Sequence, residues 1–232
     1  MAVTPLKVQP LIPSKAPNLP IAPVEYSQQY QDQFSNVLRQ YFATVDNFTQ
    51  PFTQQDGGSY LRFPFIAASK DTTQYATGND TPTIIQWSTL DAGSGFTLNV
   101  DNTATAQFPG IYKITYSLQL ANNDNGIHDA IVWLRINGAT SAADVTNSTT
   151  VFTVPARKSA GVPSYVCGYS EVVFSLNAGD KVGLWWGTNQ AATSGGGTGA
   201  YIIGLPAQTT PMAYPAVPSA IGSITFVSAL FT

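Results

Sequence analysis

Charge is what this 232-residue chain has least of: Asp, Glu, Lys and Arg together make up 10% of it, against roughly a quarter of an ordinary soluble protein. The formal net charge is -3 and no basic stretch occurs, so nothing is available to neutralise a phosphate backbone, and nucleic acid is excluded as a direct partner. The single cysteine, Cys167, admits no intrachain disulfide and reads as a small buried apolar residue. The single histidine, His128, rules out a His-rich metal site and a Glu-X-X-His pair, and leaves Ser-His-Asp chemistry one imidazole to work with. Glu25 and Glu171 are the two glutamates, and the aspartates are scattered, so no paired general acid and base stands out. No enzyme, cofactor or metal site is indicated. No apolar run approaches the ~20 residues that span a bilayer, and the start, MAVTPLKVQPLIP, lacks both the basic segment and the apolar core of a secretory signal. The expectation is a product made soluble in the cytoplasm, with no membrane partner.

Gly, Ser, Thr, Asn, Gln and Pro fill the polar positions instead. The segment Asn122-Asn123-Asp124-Asn125-Gly126-Ile127-His128-Asp129 lies between two strand-like runs and reads as an Asn-Gly hairpin connection with positive φ. It is rich in oxygen ligands for calcium, yet departs from the EF-hand pattern because Ala121 stands where the first ligand belongs. The run Ser194-Gly195-Gly196-Gly197-Thr198-Gly199 has the composition of a phosphate cradle, but no Lys follows it and Ala200 to Leu205 are strand-like; a flexible loop is expected.

The chain divides into three parts. Residues 1–26 carry Pro5, Pro10, Pro13, Pro17, Pro20 and Pro23, which forbid helix and favour extended or polyproline II backbone with a reach of roughly 80 Å. Leu6, Val8, Leu11, Ile12, Leu19 and Ile21 are interleaved with them, which suits an arm laid along another protein's surface; folding back on its own domain is the alternative. Residues 27–49 change period: Tyr30, Phe34, Val37, Leu38, Tyr41, Phe42, Val45 and Phe48 recur at steps of three and four, with Ser27 as N-cap and Pro51 as the stop. This amphipathic helix must cover its stripe with copies of itself, with its own β domain or with a docking partner, and a short self-associating stalk ranks first.

Residues 50–232 read as β-structure. From Tyr112 to Leu120 apolar and polar residues alternate strictly. Further strands are expected at Thr83 to Leu90, Phe96 to Val100, Ala130 to Ile136, Tyr165 to Leu176, Lys181 to Trp186, Ala200 to Leu205 and Ile221 to Leu230, which implies an all-β sandwich or barrel. With Val132, Leu134 and Ile136 inward, Ile131 and Trp133 face out; with Val182, Leu184 and Trp186 inward, so does Trp185; and Val173 lies opposite Val172. Large apolar groups outside a sheet call for a partner, a covering loop or a second core layer.

The runs Phe108-Pro109-Gly110-Ile111-Tyr112-Lys113-Ile114-Thr115-Tyr116, Leu134-Arg135-Ile136-Asn137-Gly138 and Leu176-Asn177-Ala178-Gly179-Asp180-Lys181-Val182 resemble, in order and spacing, the globular head of complement component one q and tumour necrosis factor. The closing run Thr225 to Leu230 is similar to that family's last strand but has Ser228 where a glycine is usual. The resemblance implies a ten-stranded jelly-roll head that forms a homotrimer and buries aromatic residues along its axis, with Ile131, Trp133, Val173 and Trp185 as interface candidates. The leader runs Leu19 to Tyr26 and Gln33 to Phe42 resemble those of structural proteins in tailed marine bacteriophages. Together these imply a virion component, either capsid decoration or a tail-attached appendage, whose partners are itself and, through the arm, other virion proteins. A receptor-binding fibre tip, or a soluble lectin-like head with a host-surface glycan or receptor as partner, is the alternative.

Overall fold

The structure, a computed structural model, describes residues 18–19, 21, 24–53, 63–194 and 197–229, with the backbone alone at 47–53. Of the arm residues, Leu19 and Ile21 are exposed, whereas Leu6, Val8, Leu11 and Ile12 lie outside the described residues, as does the Phe48 side chain. The chain divides at Pro64 into a β unit and an earlier unit that holds the helix.

Helix α1 runs Gln28–Thr53. Its start is as expected: the Tyr30 N–H donates to Ser27 Oγ at 3.3 Å and the Gln31 N–H to Ser27 O at 3.1 Å. Tyr30, Phe34, Val37 and Tyr41 are half-buried along one face, and the Tyr30 and Phe34 rings stack at 6.1 Å, while Phe42 is exposed. Pro51 does not stop the helix, which continues to Thr53. In the last turn a proline removes a single backbone bond and leaves the preceding turns intact.

The β unit comprises β1 (Phe65–Lys70), β2 (Thr83–Ile84), β3 (Thr89–Ser94), β4 (Phe96–Leu98), β5 (Ala104–Ala106), β6 (Gly110–Asn122), β7 (His128–Ile136), β8 (Thr150–Val154), β9 (Ser164–Leu176), β10 (Lys181–Thr188), β11 (Ala200–Ile202) and β12 (Ala220–Ser228), with a 3₁₀ turn at Ser141–Ala143. All pairings between these strands are antiparallel. The first sheet has the order β9-β6-β12-β1-β3, with β11 beside β6 in line with β12; the second has the order β8-β7-β10-β5-β4, with β2 beside β10. The chain passes repeatedly from one sheet to the other, and the result is a jelly-roll sandwich.

The alternation read from Tyr112 to Leu120 holds: Tyr112, Ile114, Tyr116, Leu118 and Leu120 are all buried in the core. Facing them across the sandwich are Val132, Leu134, Val182, Leu184 and Trp186. The expected strand at 83–90 is in fact two short strands in different sheets, because the chain crosses the sandwich at Ile85, which is fully buried and bonded through its N–H to Leu184 O. Strands β1, β5 and β8 had no sequence expectation; they are short or rich in Ala and Thr, which weakens the period-two signal. At the start of β6 a Cβ on Gly110 would stand 2.6 Å from the Phe226 ring, so any other residue there has to displace that ring where β12 closes over this corner.

Candidate functional site

On the outer face of the second sheet, β7 presents Asp129, Ile131, Trp133 and Arg135, and β10 presents Lys181, Gly183, Trp185 and Gly187. Trp133 and Trp185 are directly opposed. Trp133 Nε1–H donates to Asp144 Oδ1 at 2.8 Å, and Arg135 Nε donates to the same oxygen at 2.6 Å. The Arg135 guanidinium lies 4.4 Å from the centre of the Trp185 ring and 5.4 Å from that of Trp133, and it also donates to Ala139 O. The two indoles are therefore half-covered by the protein's own arginine and by the loop that carries Asp144, and are not the bare surface the strand pattern suggested. Ile131 is 38% exposed, opposite an exposed Val151.

Beside this cluster, toward the ends of β7 and β9, lies an open cleft of about 500 Å³. Its walls include Ile84, Asp101, Thr103, Arg135, Asn137, Lys181 and Trp185. Asp101 Oδ1 accepts from the Thr103 hydroxyl at 2.5 Å and from the Thr103 N–H at 3.1 Å, and its other oxygen faces Lys181 Nζ at 3.9 Å. The Thr103 hydrogen bond, more than the lysine charge, holds the Asp101 carboxyl below the usual carboxylate range.

Val173 lies on the other sheet, so the four interface candidates do not form one patch. On the outer face of the first sheet Tyr165, Tyr169 and Val173 of β9, Ile221 of β12 and Phe65 of β1 are all exposed. Cross-strand rows run Tyr169, Ser117, Ile221, Ser69 and Val173, Lys113, Thr225, Phe65. Between the two rows, Glu171 forms an ion pair with Lys113 at 3.3 Å. Cys167 is exposed on this face, with Sγ 3.3 Å from Ser117 Oγ. The expectation of a buried cysteine fails because Gly168, not Cys167, takes the inward position in β9, packed under Leu120 and Phe152. Tyr165 and Tyr169 had not been singled out as site residues; their shared parity with Val173 along β9 was the signal available.

The connection after β6 is not an Asn-Gly turn with positive φ: neither Asn125 nor Gly126 is in the left-handed region. Side chains shape it instead. The buried Asn122 donates to Gly126 O at 2.7 Å and to Pro155 O at 3.0 Å, and its Oδ1 accepts from the Asp124 N–H at 2.8 Å. His128 Nε2 meets Asp124 Oδ2 at 2.8 Å, and this bond above all holds the Asp124 carboxyl below its ordinary range. Asn122 Oδ1 and Asp124 Oδ2 are thus engaged within the loop, and among the described residues no group of three or more His, Cys, Asp and Glu residues is placed to hold a metal ion. Of the glycine run, Gly197 and Gly199 bond to Thr193 and Asn123, while 195 and 196 lie outside the described residues. No helix among the described residues is long and apolar enough to cross a membrane.

No family model and no curated protein matches the chain. Among solved structures it is similar to Eiger TNF from S. frugiperda, with 13% identity, coverage of 72% of this chain and 95% of that chain, and a TM-score of 0.44.

Proposed function

We propose that the protein is a non-enzymatic structural component of a bacteriophage virion: a homotrimer whose N-terminal arm docks on the particle, as capsid decoration or a tail-attached appendage, with the β head facing outward. The observation that carries self-association is the outer face of the first sheet, where Phe65, Tyr165, Tyr169, Val173 and Ile221 are exposed together among Ser and Thr positions and the mutually paired Lys113 and Glu171. A contiguous apolar face of this kind is rare on a monomer, and its tyrosines and phenylalanine are residue types enriched in interface cores. The stripe of α1, with Tyr30, Phe34, Val37 and Tyr41, adds a second surface suited to association. The number three comes from the resemblance of the Phe108, Leu134 and Leu176 runs to trimeric heads, and the virion from the resemblance of the leader. A receptor-binding fibre tip is the variant of the same reading, separated from a coat protein by copy number per particle.

The test is the mass of the full-length protein in solution at micromolar concentration, together with particle assembly. Three 24.7 kDa subunits are expected, and a single subunit would overturn the trimer. Deleting residues 1–26 is expected to leave the head folded and abolish incorporation into particles; normal incorporation would refute the anchoring role.

A further inference from the structure

The cleft on the second sheet has the features of a small-ligand site and stands apart from the trimer and virion readings, because the proposed self-associating face belongs to the other sheet. Its volume of about 500 Å³ falls within the range of small-molecule sites, roughly 300–1,000 Å³.

Its aromatic wall is held in place before any ligand arrives. Arg135 is only 4% exposed, fixed by Asp144 and Ala139 O, and stacked on Trp185 at 4.4 Å. Ile84 pairs with Trp185 from the neighbouring strand β2. Gly183 leaves the room this indole needs: a Cβ there would stand 3.2 Å from both Trp185 Nε1 and Ile84 Cδ1. Among the described residues Trp185 Nε1 donates to no acceptor, whereas Trp133 Nε1 is bound to Asp144. A rigid wall of this kind lowers the ordering cost of binding.

The polar groups select the class of ligand. Asp101 keeps one oxygen, shared with Lys181 at 3.9 Å, as a charged acceptor; Lys181 and the Trp185 N–H are donors. The charges balance, with Arg135 against Asp144 and Lys181 against Asp101. An anion would meet the Asp101 carboxylate, and a cation would meet Lys181 and Arg135. A neutral molecule with many hydroxyls and an apolar ring edge pairs with every group without leaving a charge uncompensated. We propose that this cleft, with Trp185, Asp101 and Lys181 as its contacts, binds an uncharged pyranose saccharide.

The test titrates the full-length protein with glucose, galactose, mannose, N-acetylglucosamine and their common neutral disaccharides, reading the Trp185 indole N–H resonance, which Trp185→Phe identifies by its loss. At least one of these sugars is expected to shift that resonance saturably. Asp101→Ala is expected to weaken the shift about tenfold or more. Asp101→Asn retains an oxygen toward Thr103, so it separates loss of the charge from loss of the turn, and is expected to weaken binding at an unchanged melting temperature. Absence of a shift with every sugar tested, a shift unaltered in both Asp101 variants, or tighter binding of glucuronic acid than of glucose would overturn the proposal.

Discussion

Asn137 Nδ2 donates to Asp180 Oδ1 at 2.7 Å, and Asn137 Oδ1 accepts from the Lys181 N–H at 2.8 Å, so one side chain at the end of β7 clamps the turn between β9 and β10. Asp180 completes the turn by accepting from the Asn177 N–H at 2.7 Å, and Gly179 beside it has φ +90. Asn137 itself lies in the left-handed region at φ +59, which asparagine tolerates better than most residues.

Replacing Asn137 with Ala removes both bonds and leaves a β-carbon residue in that region. The expected loss is about 2–3 kcal/mol by denaturant titration, from two hydrogen bonds near 1 kcal/mol each and up to roughly 1 kcal/mol by which Ala tolerates the left-handed region less well than Asn. Asn137→Gly relieves only the backbone part and should recover about 1 kcal/mol of the loss. Equal losses in the two variants would show that the backbone angle contributes nothing.

Gly110→Ala is expected to destabilise the head by about 1–3 kcal/mol, because the new methyl meets the Phe226 ring at 2.6 Å and Ser228 O at 3.1 Å. Phe226→Leu in the same chain makes room and should return part of that loss. Additive costs in the double variant would locate the strain elsewhere.

These two positions show what was legible in the sequence. The runs around Gly110, Asn137 and Asp180 stood out in the sequence through their resemblance to a known family, and the structure supplies the local backbone demands behind two of them, whereas the long strands β6, β7, β9 and β10 were visible because one face of each is buried along its length. The cover over Trp133 and Trp185 was not. It depends on Asp144 and Arg135, nine residues apart and joined only once the loop folds back over β7, and strand parity carries no record of that. The outward position of Cys167 was available from parity, but residue type argued for burial and was the poorer guide.

Burial pushes the Tyr112 phenol up to about 12, and its hydroxyl donates to Phe108 O at 2.8 Å. In the unfolded chain this group ionises at 10.0, so its contribution is fully present below pH 10 and is lost as pH rises from there through about 12. Two pK units correspond to about 3 kcal/mol. Denaturant midpoints should fall across that window, and fall less in Tyr112→Phe. Burial also raises Tyr116 and Tyr201, so a residual slope is expected in that variant.

Asp124 behaves in the opposite sense. Its carboxyl is lowered from 3.8, chiefly by the His128 bond, so its contribution is present above pH 3.8 and is lost as pH falls through the depressed value. The group is half-buried within its loop, and the effect belongs to that loop rather than to the whole fold. The Gly126 amide, which donates to Asp124 Oδ2 at 3.3 Å, should gain exchange rate across that acid window while β6 amides stay protected. In Asp124→Asn the step should vanish; its persistence would assign the acid response to another group.

Val173→Asp distinguishes the two outer faces. Val173 is 59% exposed, so a carboxylate there is solvated in a lone subunit and desolvated only if the first sheet's outer face is an interface, where an unpaired charge costs several kcal/mol. Trp185→Asp acts within the subunit, because it removes the ring on which Arg135 is stacked. The expected result is that Val173→Asp yields dissociated subunits with the near-ultraviolet spectrum of the folded head, whereas Trp185→Asp lowers the melting temperature of the subunit itself. Cys167, on the same face as Val173, supplies an independent reading: its thiol should react slowly with a maleimide in the assembled protein and at the rate of a free thiol in Val173→Asp. A fast thiol in an intact trimer would place the interface away from the Cys167 end of the first sheet, since this side chain, three rows from Val173 along β9 and next to Tyr165 and Tyr169, cannot stay open to the reagent once that face is covered.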